Sequence, residues 1–107
     1  MRPTSPTAGI YAFSFPALVK EGACHPLKIG KTAVDVDARV LSQCKGSASF
    51  DLPRVLGRWR VNRIGAMELA IHNVLKARGQ WREHAPGTEW FDATPSEVQA
   101  IIAFVGT

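Results

Sequence analysis

Gly9-Ile10-Tyr11, then Lys28-Ile29-Gly30-Lys31-Thr32, then Arg39 is the arrangement that most restricts how this chain can fold. Residues 10–15 (IYAFSF) alternate around aromatic side chains and read as a strand stopped by Pro16. Residues 17–26 hold Lys20, Glu21, Gly22 and Pro26 and read as a hairpin loop. Residues 27–32 (LKIGKT) are the partner strand, with Leu27 and Ile29 on one face and Lys28 on the other. Gly30 lets the backbone turn or approach another group closely. A helix follows, capped by Thr32 or Asp35 and reaching about Cys44. Val36, Val40 and Cys44 are its apolar stripe, with Ala33 and Leu41 beside them; Arg39 flanks that stripe.

The remainder alternates in the same way. Residues 45–51 (KGSASFD) read as a loop. In residues 54–62 (RVLGRWRVN), Val55, Gly57, Trp59 and Val61 alternate with Arg54, Leu56, Arg58 and Arg60. That pattern predicts a half-buried strand with a basic outer face. Together with Arg63 it is the candidate nucleic-acid-binding surface. Residues 64–78 have a helical stripe of Met67, Ala70, Ile71 and Val74, widened by Leu75 and ended by Gly79 at the C′ position. Glu68 and His72 lie one turn apart at the edge of that stripe. Residues 87–93 (GTEWFDA) read as a short final strand. Thr94, Pro95 and Glu97 then make the N-cap, N1 and N3 positions of a capping box, ahead of Val98, Ile101, Ile102 and Val105. The expectation is one α+β domain over residues 8–107, a small, mostly antiparallel sheet of three to four strands with about three helices. Residues 1–7 read as a short flexible lead-in.

Bulk properties agree with a polyanionic partner without requiring one. The chain has 107 residues, a formal net charge of +4 and a pI near 9.5. No apolar run approaches the roughly 20 residues a membrane-spanning helix needs. No apolar stretch follows Arg2, as a secretory signal would require. Cys24 and Cys44 are too few for a disulfide framework. With His25 they supply zinc donors on paper, but no C-x-x-C or H-x-x-x-H spacing supports such a site. Reduced thiols in a cytoplasmic protein are the expectation.

The ordered motifs, over residues 9–91, resemble the catalytic half of the GIY-YIG nucleases. Within that superfamily they resemble the phage- and plasmid-associated branch whose second motif begins with lysine. Glu68-x-x-x-His72 and the late Glu89-Trp90-Phe91 are similar to that branch as well. Trp90 or Phe91 is expected to pack on the helix that carries Glu68.

The resemblance implies a DNA endonuclease in which Tyr11 is the general base or orients the attacking water. A phenol can act as a base only if cations such as Lys28 and Lys31 lower its pKa from the ordinary value of about 10. It implies further that Arg39 and Lys31 bind the scissile phosphate, and that Glu68 holds a single divalent metal, Mg²⁺ or Mn²⁺. His72 would share that site, position a phosphate or cap a polar patch. Lys28 stands where better-known members have a second tyrosine; it cannot be a phenolic base, but its cation can hold a phosphate.

DNA is the expected partner, with RNA left open. So small a domain leaves almost no room for a separate recognition module, so specificity should be weak unless it dimerises or joins a larger assembly. Two other readings compete. One is a catalytically silent nucleic-acid-binding or regulatory module that kept the fold and the basic face; the other is an interaction domain acting as a toxin or effector.

Overall fold

A computed structural model describes residues 9–44, 52–85 and 87–106. The expected lead-in at residues 1–7, the loop at 45–51 and the side chain of Cys44 lie outside the described residues. The described elements run β1 (Gly9–Ser14), β2 (His25–Thr32), α1 (Val36–Cys44), β3 (Arg54–Trp59), α2 (Ile64–Ala77), β4 (Trp90–Ala93) and α3 (Pro95–Val105). The strands form one antiparallel sheet in the order β3-β1-β2-β4. The fold is therefore α+β, with the expected three helices. No helix among the described residues is long and apolar enough to cross a membrane.

The period-2 alternation of β1 divides the core into two. Tyr11 and Phe13 pack with Val36 and Val40 of α1 on one face. Ile10 and Ala12 pack on the other with Leu27, Ile29, Ile71, Leu75, Phe91, Val98 and Ile101. Phe91 thus packs on α2 as expected, whereas Trp90 turns to the opposite face and meets Phe13 and Phe15.

Local signals set the helix ends. Asp35 caps α1, its Oδ2 accepting from the Ala38 amide at 3.2 Å, while Thr32 Oγ1 accepts from the Val34 amide. Thr94 caps α3 by accepting from the Glu97 amide, but the other arm of the capping box is diverted. The Glu97 carboxylate instead takes hydrogen bonds from Arg78 and Gln80, tying α3 to the end of α2. Gly79, at φ +74°, closes α2 with the paired Gly79–Lys76 and Gln80–Leu75 backbone bonds of a Schellman motif. Among the described residues, no side chain caps the N-terminus of α2. Burial of Ile71 and Leu75, worth roughly 1.5–3 kcal/mol each, outweighs the ~1 kcal/mol that a cap would add.

Three details depart from the sequence pattern. The buried centre of α2 is Ile71, His72 and Leu75, so its inward face is rotated from the expected stripe and His72 lies inside rather than at its edge. A bulge interrupts β3: Gly57 opposes Ala12 and Val55 opposes Phe13, leaving Leu56 as the extra residue. Val55 consequently joins the α1-side core, while Leu56 and Trp59 pack on the α2 side. The expected basic strand face is also shorter. Pairing runs out where Ile10 meets Trp59, so Arg60 and Arg63 sit on the connection into α2.

Candidate functional site

Ile29, the central residue of the Lys28-Ile29-Gly30 motif, holds two side-chain-bearing segments through its backbone. Its N–H donates to the Glu89 carbonyl at 3.0 Å, extending the β2–β4 ladder one residue beyond Trp90. Its carbonyl accepts from Nε2 of His72 at 2.8 Å. Alternation along β4 puts Glu89 on the same face as Phe91, the face covered by α2. One helical turn separates Glu68 from His72. The result is a cluster in which Glu68, His72 and Glu89 each offer one ligand atom, all within 4.8 Å of one another.

The electrostatics of the cluster follow from its placement. The Glu68 side chain is 14% exposed, and Lys31 Nζ stands 3.9 Å from its Oε1. Burial raises the Glu68 carboxyl above its ordinary value, and the adjacent Glu89 carboxylate raises it further; His72 and Lys31 pull the other way. The Glu68–Lys31 contact is a long one, and a half-exposed ammonium on a flexible stem leaves a carboxylate available to a competing cation. His72 is only 9% exposed, and its ring lies 4.9 Å from that of Phe91. A carbonyl can only accept, so Nε2 carries the proton and the lone pair of the neutral ring is on Nδ1. Two carboxylates and an imidazole fit a divalent cation.

The other expected site residues lie across the sheet. Tyr11 opposes Gly30 and is 1% exposed. A Cβ on Gly30 would collide with the Tyr11 hydroxyl, so only glycine lets that phenol cross β2 here. Lys28 is on the same face, its Nζ 5.7 Å from the Phe13 ring centroid. Arg39 is exposed on α1, the helix over that face.

Lys28 and Lys31 therefore occupy opposite faces of the sheet. The β2–β4 ladder ends at Glu89, so from Gly30 to Thr32 β2 has a described neighbour on one side only, and the two faces meet along that short edge.

Of the four candidate nucleic-acid-binding arginines, Arg54, Arg60 and Arg63 are exposed, and Arg58 is paired with Asp37 in the first turn of α1. Arg63 immediately precedes α2, and Lys31 Nζ lies 3.5 Å from where a Cβ on Gly65 would stand. Positive charge thus gathers around the first turn of α2, where the helix dipole has the same sign.

Glu89, the third member of the cluster, has no mark in the sequence beyond its place in the Glu89-Trp90-Phe91 motif. Its signal was the alternation itself: if Phe91 packs on α2, Glu89 must face α2 as well.

No curated protein and no solved structure gives a match. The model for the T5orf172 domain matches residues 8–106, so the chain belongs to that phage-associated, nuclease-related domain family.

Proposed function

We propose that the protein is a metal-dependent DNA endonuclease that hydrolyses phosphodiester bonds by in-line attack of water. The observation that carries this reading is the meeting of Glu68, His72 and Glu89 with Lys31 at the end of β2, one residue from Gly30 and the Tyr11 hydroxyl. A nuclease must neutralise phosphate charge, place a water and stabilise a leaving oxygen, and the residues divide along those lines.

Glu68 holds the divalent ion, Mg²⁺ or Mn²⁺; when bound, the ion supplies positive charge against the phosphate and the leaving group. Arg39 and Lys31 bind the scissile phosphate, Arg39 by the bidentate geometry its guanidinium permits. Their charge is most valuable as the phosphorane-like transition state gathers negative charge. His72, fixed by Ile29, keeps the Glu68 turn of α2 in place against β2. Tyr11 orients or deprotonates the water, and its burial confines that role to the Gly30 crossing. Lys28 supplies a cation on the Tyr11 face. Arg54, Arg60 and Arg63 follow the backbone of the nucleic acid and confer little sequence preference.

The test is cleavage of double-stranded, single-stranded and branched DNA, and of RNA, with Mg²⁺ or Mn²⁺. Metal-dependent cleavage of DNA by the wild type, lost in Glu68→Ala at limiting metal, is the expected result. Full cleavage by Glu68→Ala would remove the assigned role.

A further inference from the structure

We infer that Glu68, Glu89 and Nδ1 of His72 form a three-ligand site for a divalent transition ion of the Mn²⁺, Co²⁺ and Zn²⁺ class. The inference rests on the nuclease reading only in taking Glu68 as a metal ligand. The second carboxylate, the ligating nitrogen and the class of ion come from the geometry.

Distance comes first. Two oxygens or nitrogens bound to one such ion by bonds of about 2.0–2.2 Å are about 3–3.6 Å apart at tetrahedral or adjacent octahedral positions, and at most ~4.4 Å apart when trans. Each of the three residues offers a ligand atom within 4.8 Å of the other two, so the set closes by up to about 1–2 Å, within the reach of glutamate rotamers.

The histidine decides the class of ion. Mg²⁺ prefers oxygen ligands and keeps several of its waters, whereas imidazole suits the first-row transition ions. His72 is prepared for that role: its hydrogen bond to the Ile29 carbonyl occupies Nε2, leaves the lone pair on Nδ1 and fixes the ring plane. A ligating histidine whose other nitrogen donates to a backbone carbonyl is the usual outer support of a metal site. With only three protein ligands, the ion keeps open positions for water or a phosphate oxygen. Lys31, 3.9 Å from Glu68, partly balances the carboxylates before an ion enters.

Each ligand comes from an element whose position is fixed independently. Glu68 and His72 share the face of α2 that buries Ile71 and Leu75, and Glu89 follows from the pairing of β4 with β2. No loop has to close to assemble the set.

The test is isothermal titration of the full chain, without nucleic acid, with MnCl₂, CoCl₂, ZnCl₂ and MgCl₂. One site is expected, with Co²⁺ and Zn²⁺ binding about tenfold or more tighter than Mg²⁺. Glu89→Gln and His72→Gln should each weaken Co²⁺ binding about tenfold or more while circular dichroism stays native. Should either variant unfold, the side-chain nitrogen resonances of His72 in the ¹⁵N-labelled wild type decide: saturating Zn²⁺ should shift Nδ1 strongly. Equal affinity for Mg²⁺ and Zn²⁺, unchanged Co²⁺ affinity in folded Glu89→Gln, or an unmoved Nδ1 would each overturn the site. Cleavage that survives such a result leaves the nuclease reading standing, whereas ion binding by a protein that cuts no nucleic acid removes that reading alone.

Discussion

Nε2 of His72 donates to the backbone carbonyl of Ile29 across 2.8 Å, joining α2 to the strand that carries the Lys-Ile-Gly motif. Both groups are buried, so the bond does two things at once. It satisfies a carbonyl of β2 at the point where the β2–β4 ladder ends, and it sets the roll of α2 so that Glu68 faces Lys31 and Glu89.

His72→Phe keeps a ring against Phe91 but leaves the Ile29 carbonyl without its donor. An orphaned buried acceptor costs about 1–3 kcal/mol. Urea unfolding should show a lower midpoint with an unchanged slope. An unchanged midpoint would mean that the bond does not hold α2.

Glu68 carries a stability signature with a definite sign. Its folded pKa is raised, chiefly by burial and then by Glu89, so its contribution to stability is fully present below the unfolded pKa and is lost as pH rises through the folded one. Without metal, ionising Glu68 in the folded state is therefore a net cost, felt as pH rises through the folded pKa. Glu68→Gln should melt higher than the wild type at pH 7, and the difference should shrink toward pH 4. A variant that melts lower at pH 7 would show that Lys31 and His72 outweigh burial.

Much of this was legible in the chain. The hairpin, the helix with Arg39, the Schellman glycine at 79 and the Thr94 cap all rest on local rules, and each appears where the pattern put it. The bulge at Leu56 was not legible, because an extra residue in a strand costs nothing in local propensity and is fixed by pairing with β1. The rotation of α2 escaped for a related reason. Periodicity counted apolar residues, and His72 is buried because a carbonyl on another element receives its proton. Glu89 depended on knowing which face Phe91 takes. That Lys28 and Lys31 take opposite faces follows from their odd spacing alone.

Gly30→Ala puts a methyl group into the Tyr11 hydroxyl. Overpacking of this kind costs about 1–3 kcal/mol. The added methyl would also meet the Cζ and Cε1 ring carbons of Tyr11, so Tyr11→Phe does not clear the clash. The expected result is a lower melting temperature in Gly30→Ala, with little of the loss recovered in Gly30→Ala/Tyr11→Phe. An unchanged melting temperature in Gly30→Ala, or full recovery in the double variant, would contradict this packing.

Asp37→Asn releases Arg58 from its ion pair. A freed guanidinium can neutralise one more phosphate, so DNA affinity should rise and the log–log salt slope should steepen by about one unit. Weaker binding by Asp37→Asn would mean that the pair positions Arg58 for DNA. The measurement is fluorescence anisotropy at several salt concentrations.

Arg39→Ala, measured for cleavage rate and for DNA affinity side by side, tests the nuclease reading most directly. If Arg39 acts on transition-state charge, the rate falls by about two orders of magnitude or more while affinity changes by less than about tenfold. Arg60→Ala should show the reverse, a loss of affinity with little loss of rate at saturating DNA. Parallel losses of rate and affinity in both variants, or no cleavage by the wild type on any substrate and metal tried, would contradict catalysis and favour a silent nucleic-acid-binding domain.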